Sequence, residues 1–90
     1  MTSKKFDEHK SAQAQINTYN DGSFALQSYE TIVAEIDKDG WLQVNGLYSR
    51  TTIKHIGWFM KQLGFTYQLA KHLCKNNLRM NIHTGELVAV

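Results

Sequence analysis

Ninety residues with 42% hydrophobic and 11% aromatic content make one small folding unit, too apolar to be a disordered chain. The single cysteine, Cys74, excludes an internal disulfide and a thiolate metal cluster, and no apolar run approaches the ~20 residues of a membrane-spanning helix. The formal charge of +2 hides a split: residues 1–45 hold four lysines against seven acids, and residues 46–90 hold six cations against Glu86 alone. The second half therefore offers a basic surface to an anionic partner.

In chain order, residues 1–12 are charged and aperiodic and read as a flexible tail, leaving 13–90 as a single α+β domain. The N-terminus also lacks the apolar centre of a secretory signal, so the expected location is a reducing cytoplasm. AQINTY is a strand, Asn20-Asp21-Gly22-Ser23 a tight turn, and FALQSYETIVAEID a long strand. Along that run Phe24, Leu26, Ile32, Ala34 and Ile36 share one face. Ser28 and Glu30 break the alternation, which calls for a bulge or bend near Ser28. Asp37-Lys38-Asp39-Gly40 is a second turn, and WLQVN continues the meander.

Ser49 or Thr51 then caps a helix over TTIKHIGWFMKQL that Gly64 stops. Ile53, Ile56, Phe59, Met60 and Leu63 form its apolar stripe, with Gly57 on the flank where close backbone contact is suspected. A helix of this length needs a sheet to lie on. TYQLAKHLCKN is a shorter second helix with Leu69, Ala70 and Leu73 inward and Lys71, His72 and Lys75 outward. LRMNIH and ELVAV close the chain as a hairpin. The predicted fold is α+β: an antiparallel sheet of about five strands, ordered as a meander, two helices and a C-terminal hairpin.

Two motifs stand out: Ser28-Tyr29, Thr31 and Ala34 in a strand, then Tyr48-Ser49, Thr51-Thr52, His55 and Phe59 opening the long helix. Their pattern, SY-x-T-x-x-A followed by YS-x-TT-x-x-H-x-x-x-F, resembles an uncharacterised family of small bacteriophage proteins over residues 24–64. The resemblance departs at Gly46-Leu47 and does not extend past Gly64. It implies a phage context and supplies no catalytic residue.

Ser49, Arg50, Thr51 and Thr52 sit at a helix N-terminus, where free N–H groups suit an anion; simple N-capping with an exposed arginine is the commoner explanation. Trp58 lies about 140° from Ile53 around the helix, beside Lys54, Lys61 and Gln62 and away from the apolar stripe. Either it anchors a partner, or the second helix, the N-terminal tail or a dimer mate covers it. His55 has no acid at helical spacing, so a hydrogen bond to Tyr29, Tyr48 or backbone is expected rather than catalysis. Lys71, His72 and Lys75 form a second basic face. The histidines lack metal-ligand spacing, and Glu35, Asp37 and Asp39 read as a solvated edge. No metal, cofactor or catalytic residue is expected.

The sequence thus points to a non-enzymatic binding protein that occupies a host protein through Trp58, Lys54, Lys61, Gln62, Arg50 and His55. A nucleic-acid-handling or defence system is the expected target class, an anti-CRISPR-like role being one example. A nucleic-acid-binding module on the same basic face and a homodimeric phage accessory protein are the alternatives.

Overall fold

The computed structural model describes residues 1–90. Seven strands form one antiparallel sheet in chain order: β1 (Thr2–Lys5), β2 (Ala14–Thr18), β3 (Phe24–Ser28), β4 (Thr31–Ile36), β5 (Trp41–Val44), β6 (Leu78–Asn81) and β7 (Leu87–Ala89). Helices α1 (Arg50–Gln62) and α2 (Tyr67–Lys75) interrupt the meander between β5 and β6. Both helices pack on one face of the sheet, α1 on β3 and β4, α2 on β5 and β6. The α+β class and the meander–helices–hairpin order agree with the sequence reading, and the strand count of about five is corrected to seven.

The turns act through side chains. Asp21 Oδ1 accepts from the backbone N and hydroxyl of Ser23, and these bonds hold its carboxyl below the usual range. Asp37 Oδ1 accepts from the backbone N of Asp39 and Trp41. The long run 24–37 is two strands joined at Tyr29-Glu30, where Tyr29 takes a φ of +55°. A register shift follows: Leu26 pairs with Ala34 and Gln27 with Ile32, leaving Val33 unpaired. That bulge turns Val33 into the core and carries Ile32 out of it, so the expected five-residue face holds only in part.

The core joins Leu26, Ala34, Ile36, Leu42, Val44 and Met80 from the sheet to Ile56, Phe59, Met60, Ala70 and Leu73 from the helices. Thr52 and His55 are buried as well, so the inward face of α1 is rotated toward them, and Ile53 and Leu63 are only half-buried. Ser49 caps α1 and Thr66 caps α2, each accepting from a backbone N three residues on. Gly64 leaves α1 at a φ of +88°, a conformation that suits glycine. A Cβ at Gly57 would meet only Tyr67 Cβ at 4.0 Å, so no close backbone approach requires glycine there.

The N-terminal segment is not a loose tail. Thr2–Lys5 pairs with Gln15–Thr18 as an edge strand, and Phe6 is buried in the core. TSKK contains no apolar residue, so the backbone ladder and the Ser3 Oγ bond to Asn17 Oδ1 at 2.8 Å support the strand, and the signal that fixes it is Phe6, just beyond its end.

Candidate functional site

The two sequence motifs meet. Ser28 ends β3 and Ser49-Arg50-Thr51-Thr52 opens α1, and Thr52 Oγ1 lies 3.2 Å from Ser28 Oγ and 3.3 Å from Ser49 Oγ. Ser28 Oγ also reaches His55 Nδ1 at 2.8 Å. His55 is 1% exposed and Ser28 2%, so this is a buried polar chain tying the strand end to the first turns of the helix. Burial, then the ammonium groups of Lys54 and Lys5, lower the His55 pKa and favour the neutral ring.

A serine hydroxyl beside an imidazole has the separation of a nucleophile and its base. Here both groups are enclosed in the monomer, and the ring's Nδ1 partner is Ser28 rather than Tyr29, Tyr48 or backbone. The same burial removes His55 and Thr52 from any contact surface. Ser49 spends its hydroxyl on capping, through Thr52 N at 3.2 Å. Of the four expected anion ligands, only Arg50 and half-buried Thr51 remain free of that network.

Trp58 does not stand out in solvent. His9 stacks on its ring with centroids 3.7 Å apart and planes 2° apart, and Phe6 meets its edge at 5.8 Å. The strap that follows β1 therefore covers the indole, which is half-buried against the core. Lys54 stands 5.9 Å from the ring and is exposed, as are Lys61 and Gln62. A wheel drawn for α1 alone contains no information about that strap.

The free aromatic surface belongs instead to Tyr29 and Tyr48, 52% and 64% exposed. Tyr29 follows Ser28 and Tyr48 precedes Ser49, and both serines share Thr52 as a partner, so the two tyrosines leave one corner of the fold. The Tyr29 ring stands 5.9 Å from that of His55. The Tyr48 ring lies over Gly46, where a Cβ would come within 2.6 Å of it. Sequence reasoning placed both tyrosines in the motifs and offered them as partners of His55, not as a surface; for Tyr29 the missed signal was a bulky residue in a two-residue turn.

The remaining candidate residues scatter. Lys71 is half-buried on α2, while His72 and Lys75 are exposed there, with His72 Nδ1 3.2 Å from Asn76 Nδ2. Glu35 accepts from Asn45 Nδ2 at 3.0 Å, and Asp37 serves its turn. No three His, Cys, Asp or Glu side chains gather in a metal-holding group. No helix is long and apolar enough to cross a membrane.

A family profile described as a family of unknown function (DUF8033) matches residues 2–79, and the chain belongs to that family. No curated protein and no solved structure matches it.

Proposed function

For a member of a family with no assigned activity, we propose a binding module that acts by occupancy, its contact surface the corner formed by Tyr29, Tyr48, Arg50 and Lys54. One observation carries this reading: the motif residues divide into a buried set and an exposed set. Ser28, Thr52 and His55 satisfy one another inside, with Ser49 capping the helix above them, while Tyr29 and Tyr48 project. Exposed tyrosines beside cations are the common anchors of protein interfaces, since they bury large area at little entropy.

The partner class is an acidic protein surface, and in a phage context a host protein, a defence or nucleic-acid-handling system being the leading candidate. The test is quantitative capture from host lysate by wild type and by Tyr29→Gly/Tyr48→Ala, with the fold checked by NMR. Loss of the captured protein in a folded variant supports the assignment. Undiminished capture removes it.

Nucleic acid is the second reading, favoured by exposed Arg50 and Lys54 on the first turns of α1 and by the absence of an acid in its first turn. It requires oligonucleotide binding at ~50 mM salt that weakens with a log–log slope near −0.9 per phosphate contact on duplex.

A further inference from the structure

The open sheet has two edges of opposite character. β1 carries Lys4 and Lys5, charged side chains of the kind that keep an edge strand from pairing with another chain. β7 is Leu87-Val88-Ala89 and carries no charge. Leu87 is 46% exposed and Val90, just past the strand, 63%. Apart from Met1 and the two corner tyrosines, these are the large hydrophobic side chains left in solvent.

The backbone of β7 is complementary to itself. The Asn81 N–H donates to the Glu86 carbonyl at 2.9 Å, and the Val90 N–H donates to the Asn77 carbonyl at 2.9 Å, so positions 86 and 90 face β6. Antiparallel ladders alternate, and Val88, opposite Arg79, falls on the same inner side. Leu87 and Ala89 therefore turn their N–H and C=O groups outward, where no strand lies. A second copy turned about a two-fold axis at Val88 meets those groups in register. Leu87 of each copy then exchanges hydrogen bonds with Ala89 of the other, and Val88 faces Val88 at the close spacing.

Side chains follow the same symmetry. Leu87 lies on the helix side with its neighbour Met80, so the two exposed leucines become diagonal neighbours across the new strand pair. α2 packs on β5 and β6, one strand in from the edge, which leaves room for the added strand. The lysines of β1 would oppose one another in the equivalent pairing, and β7 has no such barrier.

We propose that β7 is the interface of a two-fold dimer of this chain, its two sheets joined edge to edge through Leu87–Ala89. Three residues a side fall short of the roughly 800 Å² per partner of a standard interface, so the dimer is weak, with a Kd on the order of 0.1 mM. It uses no residue of the tyrosine corner and stands or falls separately from that surface.

The test is sedimentation equilibrium from about 10 μM to about 1 mM, with amide hydrogen exchange at both ends of that range. Monomer should pass to dimer and no further. Exchange at the Leu87 and Ala89 N–H groups should slow about fourfold as the monomer fraction falls, while Val88 and Val90, already turned to β6, change little. Ala89→Pro deletes an outward donor and leaves the bonds to β6 in place. Leu87→Lys gives β7 the charge that guards β1. Each variant, its fold checked by amide NMR, should abolish the dimer, and Tyr29→Gly/Tyr48→Ala should leave it intact. Absence of dimer at about 1 mM, a dimer that survives either edge variant or is lost in the tyrosine variant, or growth past dimer, as β7-to-β1 stacking would give, each overturns the proposal.

Discussion

Replacing Ser28 by alanine tests whether the buried polar chain holds the strand end to the helix. The change deletes one oxygen that reaches His55 Nδ1 at 2.8 Å and Thr52 Oγ1 at 3.2 Å. Thr52 keeps Ser49 Oγ at 3.3 Å, so one group, the imidazole nitrogen, loses its partner inside the core. A buried polar group left without a partner costs about 1–3 kcal/mol, and the volume lost from serine to alanine adds little. For a domain of this size each kcal/mol moves Tm by about 4–8 °C, so a fall of roughly 5–20 °C is expected by circular dichroism, with the urea midpoint falling in step. A change below about 0.5 kcal/mol would refute the reasoning, since an ordinary surface serine behaves that way. Thr51→Ala, which touches no member of the chain's hydrogen bonds, is the matched control.

Acid should destabilise the fold through His55. Above the usual imidazole value of 6.5 the ring is neutral in both states and its contribution is flat. As pH falls below it, the unfolded chain takes a proton that the buried ring resists, so stability drops until pH passes the lowered folded value. Urea midpoints between pH 8 and 5 should show this slope, and an equal slope in His55→Asn would assign it elsewhere. Gly57→Ala should stabilise by up to about 1 kcal/mol, because a mid-helix glycine is replaced where a methyl meets only Tyr67 Cβ at 4.0 Å. A lower Tm in that variant would reveal a clash at the α1–α2 contact. Phe6→Ala should destabilise by about 3 kcal/mol and shift tryptophan emission to the red as the strap lifts from Trp58. An unchanged spectrum would show that His9 alone keeps the indole covered.

Local chemistry made much of this fold readable. Asp-Gly pairs marked two turns, Ser49 and Gly64 bounded the long helix, and Ile56, Phe59 and Met60 announced its buried face. What stayed hidden depended on distant pairing. β1 draws on the backbone ladder and one Ser3–Asn17 side-chain bond, and its sequence carries no apolar signature. The broken alternation at Ser28 and Glu30 was read as a bulge or bend within one strand; a bulge lies there at Leu26/Gln27, and beside it a full turn at Tyr29-Glu30, which tyrosine seldom marks because it seldom takes a positive φ. Trp58 was placed correctly around its own helix, and the N-terminal segment was one of three covers considered; that Phe6 and His9, about fifty residues away, are the cover could not be chosen from the sequence. The Ser28–His55 bond likewise joins positions 27 apart. In each case the missing quantity was the three-dimensional return of the chain, which periodicity does not encode.

The conformation of Tyr29 bears most directly on what the corner is for. A bulky side chain in the left-handed region costs about 1–2 kcal/mol relative to an ordinary residue conformation, and glycine would avoid that cost. The surroundings hold the strain in place: Tyr29 N donates to the Gln13 carbonyl at 2.8 Å, Gln27 Nε2 donates to the Tyr29 carbonyl at 2.9 Å, and Ser28 is locked to His55. Three hydrogen bonds at roughly 1 kcal/mol each are enough to offset the penalty. None of the three involves the phenol ring, which is half in solvent. The backbone therefore gains nothing from tyrosine at this position, and the fold would keep the same ties with glycine. The strained turn thus holds a ring that stands 5.9 Å from His55 on one side and in solvent on the other, and it is this ring that the proposed contact surface would use.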